Sequence, residues 1–422
     1  MPESPNGMDL LLSPYRVLDL TDERGLLCGK ILADLCADVV QIEPPGGSTA
    51  RRIGPYYQDQ IHPEKSLYWW AYAANKRGIT LDLETGDGRE LLKRLVKDAH
   101  FLIESFPPGY LGSLSLGYQD LKAINPGLVM VSITPFGKDG PYAHWKAGDL
   151  MGMALGGFMY LTGDSDRPPV RVSFPHFYLH GGAAGATGAK MAHTHPAITG
   201  AGQHVDVSCQ QAVAKTLAHA PHSWDLEETV IKRMGVFRQT SGTSVVRTCW
   251  PCKDGYINYV PQGGSAGVAA STRALLAWMD EEGMGDEYLN SVNWEELGYG
   301  QVPAEVMAKV VPPLERFFAT HTRQELVQAS MERRILLFPV ATQGDILEHP
   351  HLKARDYFQE LDHPELDATV TYPGLFVKDR EGTRLGLRRR PPLIGEHNHE
   401  IYQDELGLSR EELGALKESG AI

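Results

Sequence analysis

The sequence predicts an α/β protein with a doubly wound, Rossmann-like parallel sheet, and two observations lead to this prediction. First, strand-like runs at residues 15–20 and 38–43 flank a helical apolar pattern over residues 25–35. A strand, a helix and a strand at this spacing form a βαβ unit with parallel strands and a right-handed crossover. Second, the alternation continues through strand-like runs at 100–104 and 128–133, so several parallel strands are expected.

The composition shifts near residue 224, which indicates a second domain. We predict a large α/β domain over residues 1–224 and a smaller α+β domain over residues 225–329. Residues 330–422 are predicted to link the two and to return to the large domain. The small domain is predicted to contain a strand pair at 249–259, and the chain is predicted to close with a helix over 410–418.

Bulk composition excludes several classes of protein. A chain of 422 residues is too long for one ordinary core, and its content of 42% apolar and 22% charged residues is typical of soluble globular proteins. The net charge of −13 argues against a nucleic-acid-binding face. We see no signal peptide and no run of the roughly 18 apolar residues that span a bilayer. Five cysteines, a sparse and odd set, indicate a reducing compartment, so a cytoplasmic protein is expected.

The first turn of the sheet argues against a dinucleotide cofactor. Glu43 ends the second strand, where a dinucleotide fold places its ribose-binding acid. The turn from Thr21 to Gly25, however, lacks a GxGxxG run. Without those glycines a pyrophosphate cannot approach the backbone closely, so NAD binding is not expected.

Several stretches, in the same order along the chain, resemble the class III CoA-transferases. They are YRVLDLT, ILADLCADVVQIEPPGG, NKRGITLDLET, GYLGSLSLGYQDLKAINPGLVMVSITPFGKDGPYA, TGAGQHVDVSCQQAV and RRPPLIGEHNHEIYQDELGLS. The resemblance implies two chains interlocked like links, each with a large α/β domain and a small domain. It also implies CoA thioesters as substrates, a carboxylic acid as acceptor and no bound cofactor.

The resemblance further implies where CoA contacts the large domain. The segments are Arg24-Gly25, Glu43-Pro44, Leu81 to Glu84, Ser105-Phe106-Pro107 and Lys146 to Asp149. Lys146 stands at a loop-to-helix junction, where an ammonium can meet a CoA phosphate as a point charge. The alternative for Lys146 is a solvated surface lysine. Where the family often has an arginine, this chain has Gly112-Ser113-Leu114, so one phosphate contact is expected to be missing.

The resemblance also identifies the position of the nucleophile. Family transferases carry an aspartate in a Pro-x-x-Asp element, followed four residues later by a glycine that opens a small-residue helix. Here the element begins at Pro175 and the glycine is Gly182, so Tyr178 stands at the aspartate position. A phenol with a pKa near 10 is a poor nucleophile at about pH 7. We therefore assign no catalytic residue and predict a packing role for Tyr178, with a replacement nucleophile as the alternative.

Other groups are weaker candidates for the chemistry. Asp149, which precedes a helix predicted over residues 150–161, could replace the nucleophile, but a site-lining or helix-capping role is favoured. Racemase members use a His–Asp pair, and this chain has Gly148 and Tyr178 at those positions, so racemization is not expected. We interpret Cys249 and Cys252 as strand residues rather than a redox motif.

A metal site at the end of the long helix is not expected either, because His193 and His195 lack further ligands.

Three hypotheses for the function remain. In the first, which the resemblance implies, a homologous partner supplies the aspartate, with succinyl-CoA as donor and (R)-benzylsuccinate as a possible acceptor. The second is a self-sufficient homodimeric transferase that uses Asp149. The third is a non-catalytic acyl-CoA-binding protein.

Overall fold

A computed structural model describes residues 11–241, 244–298, 302–378 and 385–422 of the chain. These residues divide into two compact units. The first unit consists of the described parts of Met1–Gly156, Ser173–Thr216 and Pro350–Ile422. The second unit consists of Gly157–Val172 and the described parts of Leu217–His349.

The strands and helices follow one another in this order. The strands are β1 (Arg16–Asp19), β2 (Asp38–Glu43), β3 (Arg77–Thr80), β4 (Phe101–Glu104), β5 (Val129–Thr134), β6 (His204–Ser208), β7 (Phe237–Ser241), β8 (Ser244–Arg247), β9 (Cys249–Cys252), β10 (Gly255–Tyr259), β11 (Leu337–Pro339), β12 (Phe358–His363) and β13 (Ala368–Pro373). The helices are α1 (Leu26–Asp34), α2 (Leu67–Ala73), α3 (Gly86–Val96), α4 (Tyr110–Ser113), α5 (Tyr118–Ile124), α6 (Asp149–Leu155), α7 (Phe177–Thr199), α8 (Cys209–Thr216), α9 (His219–Glu227), α10 (Ala266–Glu281), α11 (Glu287–Ser291), α12 (Ala304–Ala319), α13 (Arg323–Arg333), α14 (Gln343–Glu348), α15 (Pro350–Ala354) and α16 (Arg410–Glu418). Short 3₁₀ segments lie at Thr49–Arg52, Tyr57–Asp59, Pro63–Lys65, Met159–Leu161 and Pro364–Leu366, and His399–Glu405 is π-helical.

The first unit is built on a six-stranded sheet in the order β3-β2-β1-β4-β5-β6. Every neighbouring pair in this sheet is parallel, so the predicted doubly wound parallel sheet is confirmed. The central strands are mainly apolar, and all residues of β4 and β5 are buried. This is the pattern expected when helices cover both faces of a sheet. The strand order reverses between β1 and β4, and open α/β sheets bind ligands at such a switch point.

The long helix α7 lies close to the sheet and to α1 because its first turns contain glycines. A Cβ added at Gly182 would lie 2.9 Å from Cβ of Leu27, and one at Gly181 would lie 2.3 Å from Sγ of Cys209. Real Cβ atoms do not approach other atoms so closely, so any side chain at these positions would push α7 outward. The glycines therefore set the depth at which the start of α7, and with it residue 178, lies against the sheet.

The second unit has its own core. Strands β9, β10 and β11 form an antiparallel sheet, so the predicted strand pair at 249–259 is present. The large side chains Trp250, Tyr259, Phe317 and Phe318 are fully buried there. Cys249 and Cys252 lie on strand β9 as free thiols, as interpreted from the sequence.

The units differ from the predicted domain boundaries in three places, at residues 157–172, 217–224 and 330–349. Residues 157–172 belong to the second unit because backbone contacts join them to the segment before β7: the N–H of Gly235 donates to the carbonyl oxygen of Gly163 at 2.9 Å. Residues 330–349 also belong to it, because β11 extends its sheet. Helix α6 ends at Leu155 rather than at 161, since Gly157 has a φ of +86° and turns the chain away. The closing helix has the predicted bounds.

A network of charges fastens the C-terminal segment to the sheet, and Asp38 is its central acid. Its carboxylate accepts hydrogen bonds from the guanidinium groups of Arg16 and Arg77 at 2.6–3.1 Å. Arg77 also contacts Glu400 and Glu405 near the C-terminus. Burial disfavours the charged form of Asp38, but the two arginines outweigh burial and lower the pKa of this carboxyl.

This lowered pKa makes stability depend on pH in a defined direction. A group whose pKa is lower in the folded state contributes stability above its unfolded pKa, and the contribution is lost as the pH falls through the folded pKa. We expect Asp38→Asn to be less stable than the wild type above about pH 5, with the difference shrinking toward about pH 3. Urea unfolding of both proteins across this range measures the difference. A difference that grows as the pH falls would contradict the assignment.

The described residues contain neither a candidate membrane span nor a candidate metal site. No helix among them is both long enough and apolar enough to cross a membrane. No group of three or more His, Cys, Asp or Glu side chains in the same part of the chain is arranged to hold a metal ion. His193, one of the histidines considered from the sequence, instead packs edge-on against Tyr15 with ring centres 4.4 Å apart.

Candidate active site

A cavity of about 330 Å³ opens at the carboxyl ends of β1, β2, β3 and β4, next to the switch point of the sheet. Its lining residues are Leu20, Thr21, Asp22, Ile42, Glu43, Pro44, Gly47, Ser48, Thr49, Leu81, Asp82, Leu83, Glu84, Phe106 and Tyr110. Three of the predicted CoA-contacting segments therefore meet here, through Glu43-Pro44, Leu81 to Glu84, and Phe106. Arg24, Gly25, Ser105, Lys146 and Asp149 are not among the lining residues.

Arg24 and Ser105 do not line the cavity, but both form hydrogen bonds with the lining residue Asp22. The guanidinium of Arg24 donates to both carboxylate oxygens of Asp22, and the hydroxyl of Ser105 donates to Oδ1 at 3.1 Å. Gly25 is required by close packing, since a Cβ there would lie 2.5 Å from Cγ2 of Thr21. These residues shape the turn after β1, and the charge of Arg24 is already paired.

Glu43 also forms an ion pair within the protein, with Arg51. Its two carboxylate oxygens accept from Nε and Nη2 of Arg51 at 2.6 and 2.7 Å, and both side chains are fully buried. The N–H of Ser48 donates to the same carboxylate at 2.8 Å. Glu43 therefore anchors the loop after β2, and its carboxylate is not available as the ribose-binding acid that the sequence position suggested.

A second buried ion pair, between Lys76 and Asp19, stabilises the turn after β1. Nζ of Lys76 donates to Oδ2 of Asp19 at 2.8 Å, and neither side chain is exposed. The other oxygen of Asp19 accepts from the N–H and the hydroxyl of Thr21 at 3.0 and 2.6 Å. Thr21 lines the cavity, so this pair fixes part of the cavity wall.

Tyr110 is a lining residue that the sequence did not single out. Its hydroxyl donates to Oε1 of Glu84 at 2.6 Å, and its ring lies 4.7 Å from that of Phe106. The signal for it was available, because Tyr110 directly follows the Pro-Pro-Gly turn after β4, at the edge where the other lining segments end. Asp22 was missed in the same way, although it lies in the turn after β1.

Asp149 caps α7 rather than the helix that it begins. Helix α6 starts at Asp149 itself, after Gly148. Oδ1 of Asp149 accepts from the backbone N–H groups of His176 and Phe177 at 2.7 and 3.0 Å, at the N-terminus of α7. Oδ2 is buried and has no hydrogen-bond partner in the described part of the chain. The first N–H groups of a helix have no partner within the helix, and Asp149 satisfies two of them.

Tyr178 lies in the first turn of α7, and its hydroxyl is also engaged. It donates to the carbonyl oxygen of Ala147 at 2.5 Å, which ties α7 to the loop that precedes Asp149. Burial, with the neighbouring Cys209, raises the pKa of Tyr178 above its usual value near 10, despite the opposing charge of Arg24. The phenol is therefore protonated at neutral pH, which suits a packing and hydrogen-bonding side chain better than a nucleophile.

Lys146 lies in the loop before α6 and its side chain is exposed. Trp69 and Trp70 on α2 are buried in a core cluster.

Comparison with known proteins identifies the family. A family model described as CoA-transferase family III matches residues 12–398. The chain belongs to CoA-transferase family III. The resemblance inferred from the sequence motifs is thereby confirmed, and CoA transfer is the class of reaction.

Curated relatives agree over nearly the full length of this class III CoA-transferase. The chain is 35% identical over 411 residues to succinyl-CoA:(R)-benzylsuccinate CoA-transferase subunit BbsE of Thauera aromatica, covering 97% of this chain and 98% of the relative. It is 29% identical to succinyl-CoA–D-citramalate CoA-transferase of Chloroflexus aurantiacus, covering 97% and 98%. It is 30% identical to formyl-CoA:oxalate CoA-transferase of Streptomyces avermitilis, covering 98% and 100%.

Solved structures show the same fold. A crystal structure of a CAIB/BAIF family protein from Brucella suis matches with a TM-score of 0.78 and 28% identity, covering 92% of this chain and 98% of that one. The orthorhombic form of Rv3272 from Mycobacterium tuberculosis matches with a TM-score of 0.72 and 23% identity, covering 92% and 98%.

Proposed function

We propose that this class III CoA-transferase chain is a subunit whose catalytic aspartate is supplied by a homologous partner chain. The observation that carries the proposal is Tyr178. It occupies the position at which the family motif places the nucleophile, and its hydroxyl donates to the carbonyl oxygen of Ala147 at 2.5 Å. A tyrosine with a raised pKa and an engaged hydroxyl has no lone pair activated for attack on a thioester.

In the proposed reaction the nucleophilic carboxylate belongs to the partner. One of its oxygens attacks the thioester carbonyl carbon of the donor, the C–S bond breaks, CoA leaves as thiolate and a mixed anhydride forms. The thiolate then attacks the aspartyl carbonyl carbon of this anhydride, so that the donor acid leaves and an aspartyl-CoA thioester forms. The acceptor carboxylate attacks that thioester and CoA leaves again as thiolate. Attack of the thiolate on the acceptor's acyl carbon in the resulting second anhydride gives the new acyl-CoA and frees the partner's carboxylate. Backbone N–H groups must hold the oxyanion during each attack. This chain would contribute structure and part of the substrate pocket.

The proposed substrates are succinyl-CoA as donor and (R)-benzylsuccinate as acceptor, within anaerobic toluene breakdown. Their support is the 35% identity to a relative that is named as a subunit of that enzyme. We also propose an interlocked heteromer and a cytoplasmic location, the latter supported by five free thiols.

Asp149 is a weaker candidate for the nucleophile in a self-sufficient homodimer. Its Oδ1 already accepts two backbone N–H groups, which lowers the nucleophilicity of the carboxylate, and its Oδ2, which has no hydrogen-bond partner among the described residues, is buried away from a substrate. The arrangement supports a positioning role for Asp149 at the start of α7.

The test compares the full chain alone with the chain co-expressed with a homologue that has aspartate at the position of Tyr178. We expect turnover of succinyl-CoA only from the co-expressed pair, and its loss when that aspartate of the partner is replaced by asparagine. Tyr178→Phe in this chain is expected to keep the activity of the pair within about twofold, because it removes one hydrogen bond worth about 1 kcal/mol.

Other outcomes would point elsewhere. Robust turnover by the lone chain would refute the need for a partner, and inactivity of Tyr178→Phe in the pair would make Tyr178 a catalytic residue. CoA binding without turnover, even with the partner present, would favour a non-catalytic acyl-CoA-binding protein.

A further inference from the structure

The cavity at the carboxyl edge of the sheet is lined by acids. Asp22, Glu43, Asp82 and Glu84 contribute carboxylates, and no lysine or arginine of the described residues is among the lining side chains. The rest of the lining is mainly apolar or hydroxyl-bearing. A CoA molecule carries a diphosphate and a ribose phosphate, and phosphates in protein sites are normally met by cations or by helix N-termini.

Two of the four carboxylates are neutralised by ion pairs with arginines of this chain. Asp22 is paired with Arg24, and Glu43 is paired with the buried Arg51. All three guanidinium nitrogens of Arg51 donate hydrogen bonds within the protein, and Nε and Nη2 of Arg24 donate to Asp22. The charge that remains at the cavity comes from Asp82 and Glu84.

Asp82 and Glu84 form no ion pair within the parts of the chain that are described. Oδ1 of Asp82 accepts from the N–H of Glu84 at 2.9 Å, and Oε1 of Glu84 accepts from the hydroxyl of Tyr110 at 2.6 Å. The guanidinium of Arg89 contacts this segment only through the carbonyl oxygens of Leu83 and Glu84, at 3.1 and 2.9 Å.

The negative charges of Asp82 and Glu84 affect the pKa of Tyr110, another lining residue of the cavity. Burial raises the pKa of Tyr110 to about 12, together with the hydrogen bond to Glu84 and the charges of Glu84 and Asp82. A phosphate group entering the cavity would meet the same charges. An uncharged ligand with hydroxyl or amino donors, such as a nucleoside, would instead find two acceptors next to the rings of Phe106 and Tyr110.

We infer that Asp82 and Glu84 are specificity-determining residues that keep the phosphates of CoA out of this cavity. The cavity then accepts uncharged, donor-rich ligands, and the CoA thioester is held by the partner chain. The inference rests on the proposed function, since it assigns CoA binding as well as the nucleophile to the partner.

Calorimetric titration of the purified full chain with CoA, dephospho-CoA and adenosine tests the inference. These ligands differ in phosphate content, and dephospho-CoA lacks the ribose phosphate. We expect affinity to rise from CoA to dephospho-CoA. Repulsion between charges is screened by salt, so affinity for CoA is expected to increase between about 20 mM and 500 mM salt.

The double variant Asp82→Asn with Glu84→Gln removes both charges and keeps the oxygen acceptors for the Glu84 N–H and the Tyr110 hydroxyl. It is expected to raise affinity for CoA about tenfold, affinity for dephospho-CoA less, and affinity for adenosine by less than about twofold. Glu90→Gln with Glu411→Gln is the matched control, because it removes two exposed acids that do not line the cavity. This control is expected to leave CoA affinity within about twofold.

Tighter binding of CoA than of dephospho-CoA by the wild type, weakened by salt, would overturn the inference. So would a double variant whose CoA affinity matches the control. If the wild type binds none of the three ligands, a gain of CoA binding in the double variant supports the inference and the lack of a gain refutes it. If the double variant fails to fold, the salt dependence and ligand order of the wild type decide. These binding results are independent of the turnover assay, so failure of the proposed function is recognised separately.

Discussion

Replacing Lys76 with methionine is expected to lower the free energy of unfolding by about 3–5 kcal/mol. The ammonium of Lys76 is fully buried and donates to Asp19, to the carbonyl oxygen of Leu26 and to Gln41 at 2.8–3.0 Å. Methionine fills a similar volume but leaves the carboxylate of Asp19 buried without its cation. Urea unfolding at neutral pH, followed by circular dichroism, measures the loss.

The matched control for this change is Lys93→Met on α3. Lys93 pairs with Glu90 at 2.8 Å on the surface, where ion pairs contribute little, so a loss below about 1 kcal/mol is expected. Equal losses in the two variants would contradict the role assigned to Lys76. Because Asp19 also holds Thr21, Lys76→Met is further expected to weaken adenosine binding at the cavity.

Replacing Asp149 with alanine is expected to cost about 1–2 kcal/mol, and replacing it with asparagine clearly less. Alanine leaves the N–H groups of His176 and Phe177 without their acceptor at the start of α7. Asparagine keeps an Oδ1 acceptor and loses only the negative charge. That charge stabilises the N-terminus of a helix, so its loss has a small cost. Urea unfolding of both variants gives the two losses.

Activity of the assembled enzyme separates the two roles considered for Asp149. If Asp149 is a positioning residue, Asp149→Asn is expected to retain most of the turnover, because α7 is still capped. Asp149→Ala is then expected to lose more of the turnover. If Asp149→Asn abolished turnover while its free energy of unfolding stayed close to that of the wild type, Asp149 would be the nucleophile and the positioning role would be wrong.

Much of the first unit followed from local sequence patterns. The bounds of β2 and α16 match the predicted ones because the strand run of β2 ends at a Pro-Gly loop and the last helix has a clear N-cap at Ser409. The extent of α6 was harder to predict. Its apolar, small-residue pattern continues past Leu155, and only the positive φ of Gly157 ends it. Residues 157–172, which the sequence analysis assigned to the large domain, lie in the second unit because backbone partners of this segment stand far along the chain.

The sequence alone determined the parallel α/β sheet, the family resemblance and the presence of tyrosine at position 178, because each is carried by neighbouring residues in a fixed pattern. Only the tertiary structure decided which charges remain free. Asp149 caps a helix that begins 28 residues later, and Arg51 neutralises Glu43 across a loop. Whether an acid can bind a ligand depends on which groups the fold brings within hydrogen-bonding distance, and those distances are not encoded by spacing along the chain.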